Sequence, residues 1–278
     1  MGSILNLPPH ATGAQKAWHV ALWALTALVL AFLILPILVI IPLSFSSGSF
    51  LNFPLPGLSL RWYHELLGSE RWLSSLRNSV VVAISSTLLA TVLGTLASLG
   101  LQRARFPGHA LVMALVISPM VVPLVIVAVG VYFFYAPLGL TGSLLGLTLA
   151  HTALAAPFVV ITVSATLQGF DTNLSRAAAS LGANQTTAFF RVTLPIILPG
   201  VVSGALFAFV TSFDEVVVAL FLTGPGERTL PRQMFDGIRE NISPVIAAAA
   251  TLLIVLSILL MTVMEVLRRR SERLRGIR

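Results

Sequence analysis

The chain has 278 residues, 56% of them hydrophobic and only 10% charged, with a mean hydropathy of +0.95. Soluble globular chains carry about 25% charged residues, so this composition excludes an ordinary soluble domain and belongs to a polytopic membrane protein. Cysteine is absent, which excludes disulfides and thiolate metal sites. The net charge of +7 must therefore be read by its distribution along the chain rather than as a nucleic-acid signal.

Apolar runs bounded by charge or turn signals fall at about 20–43, 79–101, 110–135, 144–167, 197–222 and 244–267. Each reaches the roughly 20 residues that a helix needs to cross the hydrocarbon. The expected fold class is an all-α polytopic membrane protein with six transmembrane helices and both termini on one side. That side would hold Lys16, Arg103, Arg105, Arg176, Arg191, Arg268, Arg269, Arg270, Arg273, Arg275 and Arg278 against Asp171, Glu265 and Glu272. The other side would hold Arg61, Arg71, Arg77, Arg228, Arg232 and Arg239 against five acids. Eleven cations against six place the termini in the cytoplasm by the positive-inside rule.

Residues 1–19 read as a cytoplasmic tail, and the first span is too long for a signal-peptide core, so it is expected to stay uncleaved. Pro36 and Pro42 predict a kink near its outer end. In the outer loop that follows, Leu60, Tyr63, Leu66 and Leu67 sit at helical spacing with Trp62 and Trp72, which predicts an interfacial helix or a landing surface for an external partner. Span two carries Ser85, Ser86, Thr91, Gly94 and Ala97, residues that let helices approach closely. Pro119 and Pro123 predict a bend inside span three, and Tyr132-Phe133-Phe134-Tyr135 at its end reads as an interface belt or part of a gate. In span four the lone His151 is read as a packed, hydrogen-bonded residue before a ligand or proton relay.

Residues 171–195, DTNLSRAAASLGANQTTAFFRVTLP, interrupt the apolar runs with two short helical signals. Leu174, Ala177, Ala178 and Leu181 make one narrow apolar stripe, Gly182 stands where a left-handed residue would end the helix, and Asn184 can cap a second one. Pro195 and Pro199 open the next span. In span five, Gly200, Gly204 and Ala208 repeat at i+4 as a close-packing seam that Thr211 and Glu215 continue. Fifteen residues of helix at about 1.5 Å each put Asp214 in the outer half of the bilayer. Two adjacent carboxylates, Asp214 and Glu215, are expensive there unless they line a wet cavity or meet a cation. One expectation is a solute path; the other is neutralisation by Arg228 or Arg232 of the next loop.

Ala177, Ala178 and Gly182, followed after nine intervening residues by Val192-Thr193-Leu194-Pro195, resemble the "EAA–G–I-LP" loop of permease subunits of binding-protein-dependent ABC importers. Arg176 stands where that family has an acid. The run SFDEVVVALFLTGPGERTLPRQMF and the RWYHELL segment look like the spermidine/putrescine-type subfamily, although similar importers carry iron, phosphonates or opines. The resemblance implies a type I ABC importer permease fold in which Arg176, Ala177, Ala178, Leu181, Gly182, Ala183, Val192, Leu194 and Pro195 form cytoplasmic coupling helices. It implies two ATP-binding subunits, a second homologous permease and a periplasmic or extracellular solute-binding protein as partners, in a bacterial cytoplasmic membrane. Asp214, Glu215, Thr211, Phe213, Tyr132 and Tyr135 are the expected substrate-pathway residues.

No G-x-x-x-x-G-K-[ST] is present and Lys16 is the only lysine, so the chain is expected to bind no cofactor and to hydrolyse no ATP, with ATP and magnesium on the partner ATPase. The basic segment 268–278 is expected to meet anionic lipid rather than nucleic acid. A secondary transporter would want inverted repeats, which the halves do not show, and would leave residues 171–195 unexplained. A six-helix intramembrane serine protease would need G-x-S-G, and Gly200-Val201-Val202-Ser203-Gly204 has one residue too many.

Overall fold

A computed structural model describes residues 12–103, 107–240 and 242–274, all organised by helices. Residues 1–11 of the N-terminal tail, Arg105, Arg275 and Arg278 lie outside the described residues. The helices are α1 (Gly13–Ser44), α2 (Arg61–Gly68), α3 (Glu70–Arg103), α4 (His109–Val121), α5 (Leu124–Tyr135), α6 (Leu144–Gln168), α7 (Thr172–Ser180), α8 (Gln185–Ala188), α9 (Leu194–Phe213), α10 (Val217–Leu222), α11 (Leu230–Glu240) and α12 (Pro244–Leu274). Among the described residues, five helices are long and apolar enough to cross a membrane, and the bent pair α4–α5 makes a sixth when counted as one span.

The first helix starts earlier than the apolar run because Thr12 and Gln15 close a reciprocal capping box at its N-terminus. It continues through Pro36 and Pro42, buries only Ser44, and packs within the chain against α12. The centre of the molecule is instead α3, α6 and α9. Small residues set their spacing: a Cβ on Gly94 would lie 2.7 Å from Val159 Cβ, on Gly200 2.9 Å from Thr162 O, and on Gly204 2.9 Å from Val159 Cα. The seam of Gly200, Gly204 and Ala208 is thus the contact face of α9 on α6, where a side chain of any size would hold the backbones apart. Polar groups add cross-links: Ser98 Oγ donates to Val160 O at 3.2 Å and Gln102 Nε2 to Leu167 O at 2.6 Å.

At the other end of α3 sits a small cap built from α2, α11 and the start of α12. Trp62, Leu66, Leu230, Val245, Ala248 and Ala249 form its buried centre, and Trp62 Nε1 donates to Ser46 O at 2.8 Å. The helical segment expected from Leu60–Leu67 spacing is therefore α2, but Trp62 serves as core with a satisfied N–H rather than as a membrane-interface anchor. Asn78 Nδ2 donates to Gly226 O and Arg228 O, each at 3.1 Å, and Leu230 N donates to Ser79 Oγ at 2.7 Å. These bonds tie the loop after α10 to α3.

Two of the expected spans are interrupted. Between α4 and α5 the chain turns by 108°, far more than a kink. Val122 is extended (φ −72°, ψ 135°) because it precedes Pro123, whose ring disfavours a helical neighbour and which brings no N–H to continue the ladder. Span five is likewise not continuous to residue 222: α9 ends at Phe213 and α10 begins at Val217.

Candidate functional site: the segment between spans four and five and the acidic break in span five

Residues 171–195 fold as their local chemistry dictates. Asp171 caps α7 by accepting from Asn173 N at 2.9 Å. The helix ends in a Schellman closure: Gly182 N donates to Ala179 O at 2.9 Å, Ala183 N to Ala178 O at 3.0 Å, and Gly182 has φ +87°. Asn184 Oδ1 then accepts from Thr187 N at 2.8 Å to start α8. A π-helical turn over Phe189–Thr193 joins α8 to α9, so Gln185–Phe213 reads as one helical rod. Pro195 near the start of α9 has no N–H for a carbonyl one turn earlier, and the wider turn before it accommodates that missing bond.

The stripe on α7 has no matching apolar face among the described residues. Leu181 is 89% exposed, Leu174, Arg176 and Ala177 are exposed, and Ala178 and Ala183 are half-buried. Val192 and Leu194 turn partly inward, Leu194 against the cluster around Ile197 and Leu167, while Pro195 is exposed. The turn is closed by backbone hydrogen bonds, and Leu174, Ala177 and Leu181 beside it are bare.

The break in span five separates the two acids. Asp214 is exposed and lines a small recess of ≈ 80 Å³ with Val210, Phe213, Leu253, Leu256, Ser257 and Leu260. Phe213 is buried and stacks on Phe209 at 5.5 Å between centroids. Glu215 is 7% exposed and faces the other way. Its Oε1 accepts from Val218 N at 2.7 Å and its Oε2 from Ala219 N at 3.1 Å, so it caps α10. His151 of α6, 1% exposed, brings Nε2 to 3.2 Å from Glu215 Oε2, within ion-pair range though off the line of a hydrogen bond. On its other side, His151 Nδ1 lies 2.8 Å from Ser212 Oγ, which in turn lies 2.8 Å from Ser86 Oγ of α3. A ring lone pair aimed at a carboxylate would repel it, so Nε2 carries a hydrogen on the side of Glu215.

The arginines of the following loop do not neutralise the acid pair. Arg228 Nε lies 3.3 Å and Arg232 Nε 3.7 Å from Asp236 Oδ2. Arg232 also donates to Ala219 O at 3.1 Å, and its Nη1 makes short contacts with Thr223 O and Oγ1. Burial lowers the Arg232 pKa, and the neighbouring Asp236 carboxylate acts against that shift. Tyr135 packs against the cluster that includes Val218, Ala219 and Leu222, while Tyr132 is 39% exposed; neither lines the recess at Asp214, nor does the half-buried Thr211. Ser86, Ser212 and Arg232 carry interactions that periodicity does not reveal, since their partners come from other helices.

Comparison with known proteins agrees with this arrangement. Residues 90–274 match the family described as binding-protein-dependent transport system inner membrane component. The chain is 32% identical to the spermidine/putrescine transport system permease protein PotC of Escherichia coli K12 over 240 residues, covering 86% of this chain and 90% of the relative. It is 34% identical to the putrescine transport system permease protein PotI of the same organism, covering 84% and 85%. The fold superposes on a chain of a bacterial ABC transporter that imports the acidic polysaccharide alginate, with a TM-score of 0.73 at 15% identity, covering 93% of this chain and 99% of that one. The six-span all-helical architecture is thus the type I permease fold of ABC importers, and the chain belongs to the family of inner-membrane components of binding-protein-dependent transport systems.

Proposed function

We propose that this permease moves a small cationic solute of the polyamine class across the cytoplasmic membrane by alternating access. The observation that carries this reading is Asp214: a carboxylate exposed at a helix break inside span five, in a recess otherwise lined by apolar side chains and one serine. A carboxylate so placed favours an amine, and the surrounding Leu and Phe surface suits methylene groups. The relatives named for spermidine and putrescine support the same class.

Energy enters at the opposite end of α9. The exposed stripe of Leu174, Ala177 and Leu181 on α7 receives a cytoplasmic ATPase, which carries the ATP and magnesium, and Arg176 offers it a cation. Two such ATPases, a second permease and an external solute-binding protein complete the assembly, with both termini of this chain in the cytoplasm. Each step of the cycle requires the solute to bind two conformations unequally.

The test is reconstitution of the full complex in proteoliposomes, reading ATP turnover with the binding protein loaded by putrescine, spermidine, an amino acid or an oligosaccharide. Stimulation by the amines alone is expected. Stimulation only by an uncharged or anionic solute, or uptake that follows an ion gradient without ATP, overturns the assignment.

A further inference from the structure

The six-residue helix α10 is held at both ends by charged side chains. Glu215 accepts from Val218 N and Ala219 N at its N-terminus, and Arg232 donates to Ala219 O and to Thr223 at its C-terminus. Leu222 O accepts from Gly142 N at 2.7 Å. These charges have the signs that a helix of such polarity favours at its two ends. A helix this short is not stable by itself in water, so its placement depends on these partners and on the packing of Val218, Ala219 and Leu222 in the core.

Glu215 is itself fixed from behind. The chain Ser86–Ser212–His151–Glu215 crosses from α3 through α9 to α6 and back to the break, with every member less than a tenth exposed. Asp214 is the adjacent residue, and the chain direction at the break decides where its side chain points. We infer that Glu215 and His151 are positioning residues: they clamp the α9–α10 break so that Asp214 alone faces the recess. Glu215 then contributes through two backbone N–H groups and the His151 ring, while Asp214 contributes through its charge. This division of labour rests on the reading of Asp214 as the solute-facing acid. For both acids to share the cation, Glu215, which does not line the recess, would have to turn away from Val218 N, Ala219 N and His151.

The experiment compares Asp214→Asn, Glu215→Gln and Glu215→Ala in the reconstituted complex, with putrescine as the probe. Two readouts are taken: KM and kcat for solute-stimulated ATP turnover, and amide hydrogen exchange of residues 217–222. Asp214→Asn should raise KM about tenfold, the effect of one lost charged contact, with exchange in α10 unchanged. Glu215→Gln keeps one of the two acceptor oxygens that meet the α10 N–H groups and should hold KM within about threefold of the parent. Glu215→Ala should speed exchange in α10 by about tenfold and raise KM as far as Asp214→Asn does.

A Glu215→Gln variant whose KM rises like that of Asp214→Asn, with exchange unchanged, overturns the inference, because Glu215 then meets the solute directly. Unchanged exchange in a folded Glu215→Ala variant overturns it as well. If putrescine fails to stimulate the parent complex, the solute assignment falls, and the exchange readout still decides whether Glu215 clamps the break.

Discussion

Asp214 and Glu215 are chain neighbours in opposite environments, and the backbone break between them and α10 is what separates them. A continuous helix would have placed the two carboxylates about 100° apart on one wall. Because α9 stops at Phe213, Glu215 turns inward to cap α10 and Asp214 stays at the recess. The sequence carried a sign of this, since an acid just before a helix start can accept from its free N–H groups, but Val216–Leu222 is so apolar that it reads as more membrane span. The pairing of His151 with Ser212, 61 residues away, has no local signature at all. The glycine seam, by contrast, was legible from its i+4 spacing, and it gives a residue-scale prediction. A methyl on Gly204 meets Val159 Cα at 2.9 Å, which is backbone and cannot swing aside. Gly204→Ala should destabilise the protein by about 1–3 kcal/mol, the range for overpacking, read as a lower unfolding temperature in detergent. Gly100→Ala, in α3 with open space around the new methyl, should be neutral or stabilising by up to about 1 kcal/mol. Equal effects at the two positions would mean that the seam is not tightly closed.

The segment 171–195 shows the same contrast at the scale of an element. The Asn184 cap, the left-handed glycine and the stripe were readable because each is a local rule: Asn184 accepts from a backbone N–H three residues on, and Gly182 closes the helix before it. The π-turn and the fusion of α8 with α9 were not, since Pro195 reads as a boundary whether the helix stops or merely widens. The exposed stripe can therefore be tested without disturbing the fold. Leu181→Asp should leave the six spans intact, because the side chain touches little of its own chain, and should reduce co-purification of the ATPase and ATP-driven uptake by tenfold or more, corresponding to about 1.4 kcal/mol or more of lost contact. Gly182→Ala forces φ +87° on a residue with a Cβ, at a cost of about 1–2 kcal/mol, and should loosen the Schellman turn and weaken uptake in part. Full uptake in the Leu181→Asp protein would exclude this surface as the docking face.

At the scale of the whole molecule, the two functional regions lie at opposite ends of the central helices. The 171–195 segment joins α6 and α9 at one end, while the loop before the other end of α6 meets Leu222 through Gly142 and the other end of α9 runs into the acidic break. α11 belongs with the latter end, because Arg232 reaches Ala219 and Thr223. Sequence charge gives the expected sides: eleven cations fall in the segments expected on the side of 171–195 against six in those expected on the other. The complete absence of cysteine makes that assignment directly measurable, since a single introduced thiol has no background. Ser49, exposed in the loop before α2, and Ser180, exposed at the end of α7, serve as the two reporters. A membrane-impermeant maleimide should label Ser49→Cys in intact spheroplasts and leave Ser180→Cys untouched, with the pattern exchanged in inverted vesicles. The reverse pattern would put the α7 stripe outside the cell, away from any ATP, and the proposal that it receives the ATPase would fall.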